Sequence, residues 1–484
     1  MKINYQPISN VVGVLMILLG IAMFATAGVS IYNNGYDYMS FFKAGGITFL
    51  TGAILWIYKF SSDTYVNKRE GYLIVAVGWF FLGLFGAMPF YLSGVTPLFT
   101  DAFFESVSGF TTTGATIFSD IEILPPGILF WRSLTHWIGG MGIIVLTVAI
   151  FPLLGIAGIE LFVAESPGPT ADKVHPRIKE TAKRLWLIYF GLTATLFGLL
   201  WWEGMTPFDA INHAFATMGT GGFSTKNASI AHFTSPAIQY TIILFMFIAG
   251  CNYAVLYYLF KGRVKRVWIN EEFRYYTLFM VFTAIILGVW INHMVGGDYE
   301  QNFRNGLFML TSLVTTTGFV ISDYTQWSPG LTMFFFLTLF LGACAGSTAG
   351  GIKFIRHMVF VKNTYLEFKR ILHPRAMIRI KINKEVVAPR ILTHILVFLL
   401  VYLILFIFGS LFITLTGVDF LTAIGSVATT LGNVGPAIGK LGPTDNYSWV
   451  PLPAKWIFSS LMLLGRLELF TILIIFTPFF WRSN

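Results

Sequence analysis

The chain has 484 residues, of which 55% are hydrophobic, 17% aromatic and only 11% charged, whereas an ordinary soluble domain is about 45–50% apolar and about 25% charged. A water-soluble protein of this length would divide into domains with polar surfaces, and 32 Lys/Arg with 23 Asp/Glu are too few to cover them, so the composition indicates a polytopic membrane protein. The formal net charge of +9 leaves nucleic acid, an anionic membrane surface and an anionic ligand as readings.

Hydropathy predicts spans near residues 11–32, 42–59, 71–93, 128–153, 185–203, 237–260, 275–295, 330–361, 391–416 and 455–480, ten in all. The first is long enough to cross and is followed by no small-residue cleavage site, so it reads as a span and not a signal peptide. Cys251 and Cys344 both lie in apolar stretches, and no disulfide framework is expected.

Between certain spans lie shorter segments suited to re-entrant half-helices, and these carry an internal repeat. They read DAFFESVSGFTTTGAT from Asp101, DAINHAFATMGTGGFS from Asp209, NGLFMLTSLVTTTGFV from Asn305 and DFLTAIGSVATTLGNV from Asp419. Each opens on Asp or Asn and reaches a glycine thirteen residues later, at Gly114, Gly222, Gly318 and Gly432. The expected architecture is all-α: four span, re-entrant segment, span repeats around a pseudo-fourfold pore, plus two extra N-terminal helices. Its divisions are 1–70 for the N-terminal pair, then 71–184, 185–274, 275–390 and 391–484 for pore repeats one to four.

Orientation follows from Lys and Arg. If the re-entrant segments open outward, Lys2, Lys59, Lys68, Arg69, five basic residues from Lys173 to Arg184, five from Lys261 to Arg274, ten from Lys353 to Arg390 and Arg482 face the cytoplasm. The outer side keeps Lys43, Arg132, Lys226, Arg304, Lys440 and Lys455, so both termini are expected in the cytoplasm. The same division puts 10 acidic residues inside and 12 outside, with Arg466 and Glu468 left within a span. An oriented protein with an acidic outer face explains the net charge without nucleic acid.

A half-helix begun by Asp or Asn is capped by a side-chain oxygen, and its C-terminal end carries partial negative charge. Asp101, Asp209, Asn305 and Asp419 are the expected caps. Four such ends converging on one axis favour a cation, and the Thr/Gly tetrapeptides that follow supply carbonyls for it. A single such tetrapeptide would more often mean close helix packing; four in matching register point to a pore lining.

These four segments, each with one filter glycine, resemble the Trk/Ktr/HKT superfamily of potassium transporters, most nearly its bacterial Trk-type uptake proteins. The resemblance covers essentially the whole chain. It implies a single-chain pore in a bacterial inner membrane. The filter residues would be Thr111, Thr112, Thr113 and Gly114; Gly219, Thr220, Gly221 and Gly222; Thr315, Thr316, Thr317 and Gly318; and Thr429, Thr430, Leu431 and Gly432 with Asn433. Their carbonyls would coordinate dehydrated K⁺. The second and fourth copies, GTGG and TTLG, depart from TTTG, which weakens the expectation of strict fourfold selectivity.

In the third repeat GACAGSTAGGIK, residues 342–353, interrupts a helix with four glycines, each costing about 1 kcal/mol in a helix interior. The resemblance makes this an intramembrane gating loop under the filter, with Gly342, Gly346, Ser347, Thr348, Gly350, Gly351 and Lys353 in it. Arg466 sits in mid-span, where insertion costs about 2.5–3.5 kcal/mol; it must find partners, and Glu468, two residues away, does not share its helix face. By position it matches a pore-facing arginine of Trk-type proteins that acts as a positive barrier.

The resemblance further implies a homodimer and a cytosolic TrkA-type ring of RCK regulatory subunits, with NAD or ATP/ADP acting only through that partner and no covalent cofactor in this chain. The ten basic residues from Lys353 to Arg390 suit an acidic partner or anionic lipid headgroups. No His, Cys or Asp set has metal-ligand or catalytic spacing, so an enzyme is not expected. A channel-like pore is favoured, with K⁺ cotransport coupled to H⁺ or Na⁺ as the alternative; coupling normally needs a titratable site at the midplane.

Overall fold

The structure is a computed structural model that describes residues 3–57, 67–150 and 178–482. Lys2, Lys59, Lys173 and Arg177, part of the expected cytoplasmic basic set, lie outside the described residues. The described chain is mostly helical, with one two-stranded antiparallel hairpin pairing Lys381–Ile382 with Glu385–Val386.

Two N-terminal helices, Tyr5–Tyr32 and Tyr38–Ile57, pack along their whole lengths. Glycines make this close approach. A Cβ on Gly13 would meet the Trp56 backbone nitrogen at 2.7 Å, and one on Gly52 the Gly13 carbonyl oxygen at 2.7 Å; such small-residue seams hold helices together where lipid removes the hydrophobic driving force. Buried Asp37 fastens the pair to the rest, taking the Ser30 hydroxyl and, at 2.8 Å, the Ile128 N–H.

Four units follow, each a leading helix, a short pore helix and a return helix. Unit one has Lys68–Gly86 continued by Met88–Leu92, then Phe99–Phe110, then Pro126–Ile150. Unit two has Ile178–Trp202, Pro207–Gly219, and Pro236–Ala249 with Tyr253–Phe260; unit three has Glu271–Val295, Tyr299–Val314, and Pro329–Thr338 with Phe354–Leu372. Unit four has Pro389–Leu415, Phe420–Gly432, and Leu452–Arg466 with Phe470–Leu473. Return helices start at or next to proline, which lacks the N–H that a first turn would orphan.

The leading helices of units two to four face outward, whereas that of unit one is mostly buried. In Pro389–Leu415 the residues Leu400, Leu403, Ile407, Leu411 and Leu415 are exposed, while Phe398, Tyr402, Gly409 and Ile413 are buried, the two stripes being opposite faces at helical spacing. The pore helices are enclosed despite their polar residues. Nearly every residue of Phe420–Gly432 from Thr422 on is buried.

Six described helices are long and apolar enough to cross a membrane, and two bent pairs raise this to eight: Pro236–Ala249 with Tyr253–Phe260 (109°) and Leu452–Arg466 with Phe470–Phe476 (107°). The expected span near 330–361 is divided by a non-helical stretch, and the one near 128–153 is interrupted at Gly142 (φ 65°, ψ 175°). Every return helix therefore breaks, whereas the glycine cluster of residues 342–351 marks only the third break.

Candidate ion filter and gate

The four pore helices end alike. Thr112, Thr220, Thr316 and Asn433 take left-handed backbone, at φ 54°, 54°, 56° and 54°. The next N–H then reaches back five positions: Thr113 to Ser108 (2.9 Å), Gly221 to Ala216 (2.9 Å), Thr317 to Ser312 (2.8 Å) and Val434 to Thr429 (2.9 Å). This is a Schellman closure, and its repetition fixes the structural register of the units.

Two residues beyond each left-handed position stands a glycine: Gly114, Gly222, Gly318 and Gly435. These four form a closed ring. A Cβ on Gly114 would lie 2.1 Å from the Gly221 carbonyl oxygen, one on Gly222 2.2 Å from that of Thr317, one on Gly318 3.0 Å from the Gly435 nitrogen, and one on Gly435 3.0 Å from the Gly114 carbonyl. Gly114, Gly222 and Gly318 also hold φ of 79°, 80° and 78°, which only glycine adopts at low cost. Gly435 does not, because Pro436 follows it and restricts its backbone.

In this register the ring glycine of unit four is Gly435, and Gly432, expected there from the sequence, lies in the last turn of its pore helix, where its ideal Cβ faces the Leu339 carbonyl at 3.1 Å. Thr429, Thr430 and Leu431 are helical as well, so the fourth filter strand reads Gly432, Asn433, Val434, Gly435. The cause lies at the other end of the helices. Asp419 is a true N-cap, its carboxylate accepting the Thr422 N–H at 3.2 Å, but the caps of units one to three are Leu98, Thr206 and Asp298. Asp101 and Asp209 sit three residues inside their helices, and Asn305 is in the middle of its own. Aligning the acids therefore shifted the fourth copy by three.

Displaced from capping, the first acid ties unit one to unit four and the second stays within unit two. Asp101 pairs with Lys455 of the fourth return helix at 2.7 Å, and Asp209 receives Thr225 at 2.5 Å and Thr206 at 2.9 Å. The Thr hydroxyls follow a two-by-two pattern: Thr111 meets Thr113, and Thr315 meets Thr317, each at 2.8 Å. Unit two has glycines at those positions, and in unit four Asn433 donates to Thr113 (3.1 Å) and to the Met462 carbonyl (2.9 Å). No backbone N–H among the described residues donates to the carbonyls of Thr112, Thr113, Thr220, Gly221, Thr316, Thr317, Asn433 or Val434. Eight buried acceptors are thus left by the backbone in one place, an arrangement that is costly without an ion or water.

A cation transport family described under the name TrkH matches residues 37–483. The chain belongs to this family of cation transport proteins. It is 42% identical to the Trk system potassium uptake protein TrkH of Escherichia coli K12 across 99% of this chain and 100% of that one, and 32% identical to the TrkG protein of the same organism across 99% of each. The crystal structure of the potassium transporter TrkH from Vibrio parahaemolyticus superposes with a TM-score of 0.90 at 36% identity, covering 99% of this chain and 100% of that one.

Beneath the ring of this TrkH-family protein lies the segment from Gly342 to Lys353. It leaves the helix axis and returns, its ends joined by Gly342 N–H to Ile352 O (2.8 Å) and Phe354 N–H to Ala343 O (3.0 Å). Ser347 bonds the Cys344 carbonyl at 2.6 Å, Thr348 the Ala249 carbonyl at 3.2 Å, and the Gly346 carbonyl accepts the Tyr253 N–H at 3.1 Å. Its tip touches the filter directly: the Gly350 N–H donates to the Thr316 hydroxyl at 2.7 Å, and a Cβ on Gly350 would meet that of Asn433 at 2.7 Å. Gly351, at φ 66°, lies against Gly432 and Thr316. Lys353 is buried, and its ammonium donates to the Ala349 carbonyl.

Arg466 ends the first half of the fourth return helix and reaches two other units. It donates to the Thr348 carbonyl at 2.8 Å, to the Gly140 carbonyl at 3.0 Å and to the Gly139 carbonyl. Beyond it Glu468 and Leu469 adopt left-handed φ of 54° and 56°, which makes the bend. Glu468 pairs with Arg356, on the helix that leaves the loop. Arg356 also stacks on Phe398 at 3.9 Å.

Arg132 and Lys455, counted among outer basic residues by sequence, are buried ion-pair partners. Of the ten basic residues from Lys353 to Arg390, Lys353, Arg356, Lys362 and Arg370 are engaged within the protein, whereas Lys369, Arg375, Arg379, Lys381, Lys384 and Arg390 are exposed.

Proposed function

We propose that this protein takes K⁺ into a bacterial cell by conduction through the ring of Gly114, Gly222, Gly318 and Gly435, and that it is not an enzyme. The observation that carries the reading is the convergence of four pore-helix ends, each with the same Schellman closure, on buried carbonyls that no backbone N–H among the described residues satisfies. Negative helix ends and carbonyls in rings replace the hydration shell of a monovalent cation. Names of the relatives, Trk system potassium uptake proteins, support K⁺ as the ion.

The gate is the stretch Gly342–Lys353 with Arg466. Its support is contact: the tip bonds Thr316 of the filter while Arg466 holds Thr348 and the Gly139–Gly140 carbonyls, so moving the loop must release either. A guanidinium below a cation path is also a barrier in a low-dielectric region.

The ten-span topology, the five-part division at residues 70, 184, 274 and 390, cytoplasmic termini, the inner membrane, the homodimer and the RCK ring sensing NAD or ATP/ADP belong to the same reading. The exposed basic residues from Lys369 to Arg390 suit an acidic cytosolic partner or lipid headgroups. Uptake of ⁸⁶Rb⁺ into proteoliposomes is the test: Gly114→Ala abolishes it if the ring is the filter and leaves it intact if the path lies elsewhere. Reversal potentials that follow pH at fixed K⁺ would favour cotransport instead.

A further inference from the structure

The Schellman register makes the units comparable residue by residue, and one position divides them. Glu105 of the first pore helix corresponds to His213, Met309 and Ser426, and the residue eleven later is Thr116, Ser224, Val320 or Ala437. In units one and two this pair is polar and bonded: Thr116 donates to Glu105 at 3.0 Å, and the His213 ring nitrogen meets Ser224 at 2.9 Å. In units three and four the later partner is apolar, and Ser426 bonds only carbonyls of its own helix, those of Thr422 and Ala423.

Arg132 joins the two polar units. Its guanidinium takes Glu105 at 2.8 Å, Thr116 at 3.1 Å and the Ser224 carbonyl at 3.2 Å, while lying 4.1 Å above the Phe223 ring. Glu105 also accepts the Ile117 N–H at 3.0 Å, and the His136 ring stacks on the same Phe223 ring at 4.1 Å. Arg132 and Glu105 are 1% and 0% exposed. The backbone just past Gly114 and just past Gly222 is therefore held by one buried ion pair. Units three and four hold the same stretch by neutral bonds alone: in unit three Ser312 donates to the Phe319 carbonyl (2.7 Å), the Val320 N–H to Ser229 (3.2 Å) and the Ile230 and Ala231 N–H groups to the Val320 carbonyl (3.1 and 3.2 Å), and in unit four Tyr324 donates to the Ala437 carbonyl (2.8 Å) and the Ala437 N–H to the Leu441 carbonyl (3.0 Å).

We infer that Arg132 and Glu105 are positioning residues that fix the filter strands of units one and two and thereby set discrimination between K⁺ and Na⁺. A charge-assisted network with fixed geometry is stiffer than a neutral bond, and a carbonyl cage rejects the smaller ion only when it does not collapse onto it. Units three and four, braced without a charged group and touched by the gate tip at Thr316 and Asn433, form the more compliant half. The inference rests on the ring being the filter.

The test is the ratio of ⁸⁶Rb⁺ to ²²Na⁺ uptake in proteoliposomes holding Glu105→Gln, Thr116→Val or Ser224→Ala, with Met309→Leu as the control at the matching position of unit three. Glu105→Gln lowers the ratio about tenfold, equivalent to ~1.4 kcal/mol, with ⁸⁶Rb⁺ uptake retained; Thr116→Val lowers it less, and Ser224→Ala, which keeps the carbonyl that Arg132 binds, leaves it unchanged, as does Met309→Leu. A ratio unmoved by Glu105→Gln, or equal losses of both ions, overturns the inference. Should Glu105→Gln fail to fold, Thr116→Val decides, since it removes a hydroxyl bonded to both Glu105 and Arg132 while leaving the ion pair to support folding, and an unchanged ratio in it overturns the inference. If Gly114→Ala leaves uptake of both ions intact, the filter reading itself fails.

Discussion

The carboxamide of Asn433 donates to the Thr113 hydroxyl at 3.1 Å, joining the end of the fourth pore helix to the filter strand of the first. Because Asn433 occupies a left-handed position, it closes its own helix and the ring between units four and one at once. Asn433→Gly keeps the backbone geometry and loses the tie. Each lost hydrogen bond costs about 1 kcal/mol, so a lowered unfolding temperature in detergent is expected with intact folding, whereas Asn433→Leu adds about 1–2 kcal/mol of left-handed strain and lowers it further.

The correction of register gives a sharper contrast. Gly435→Ala drives a Cβ to 3.0 Å from the Gly114 carbonyl and to 3.1 Å from that of Thr113, and its ⁸⁶Rb⁺ flux should fall at least tenfold. Gly432→Ala gains about 1 kcal/mol of helix propensity against one contact at 3.1 Å to the Leu339 carbonyl; its flux should stay within about twofold of the parent, a difference of ~0.4 kcal/mol.

How much was legible follows from where each signal is written. Four pore segments, the re-entrant fold and three of the four ring glycines are visible because Gly114, Gly222 and Gly318 hold the same backbone at the same distance from Asp101, Asp209 and Asn305. Gly435 was missed because the fourth helix starts on its acid, while units one and two start three residues earlier on Leu98 and Thr206. The GNVGP run, in which a left-handed Asn precedes a Gly-Pro pair, was the available signal. The break at Gly142 was marked by three glycines in four residues, Gly139, Gly140 and Gly142, whereas the one after Arg466 has only Gly465 beside it; the pairing of Glu105 with Arg132 spans 27 residues and two helices, beyond any local pattern.

Arg466→Ala removes donors to Thr348 and to Gly139 and Gly140. The account expects basal ⁸⁶Rb⁺ influx to rise in proteoliposomes lacking any partner subunit. Influx that falls or stays level would mean the arginine is a structural strut and not a barrier.

Glu468 and Arg356 form a nearly buried pair, 14% and 3% exposed, between the bend of unit four and the helix leaving the gate loop. Glu468→Gln leaves Arg356 without its counter-ion, and breaking such a pair costs about 3–5 kcal/mol. A marked fall in detergent unfolding temperature is expected, larger than that for Glu367→Gln, whose exposed pair with Arg370 is worth about 0–1 kcal/mol.

At the start of the fourth pore helix, desolvation opposes ionisation of Asp419, but the Thr422 backbone and hydroxyl and the nearby Lys440 outweigh it and hold the carboxyl below its ordinary value. A depressed carboxyl contributes stability that is complete above its unfolded pKa, about 3.9, and is lost as pH falls through the lower folded value. Asp419→Asn keeps the cap and loses this charge, so its stability should vary less with pH below about 4; an identical acid profile would count against the assignment.

The central claim is that K⁺ passes the ring closed by Gly435. Crystals grown in Rb⁺ and measured at the rubidium edge test it most directly. The account predicts an anomalous peak on the axis within coordination distance of the carbonyls of Thr113, Gly221, Thr317 and Val434. An axis filled by side chains at that level, or a peak at Gly432 and none at Gly435, would contradict it.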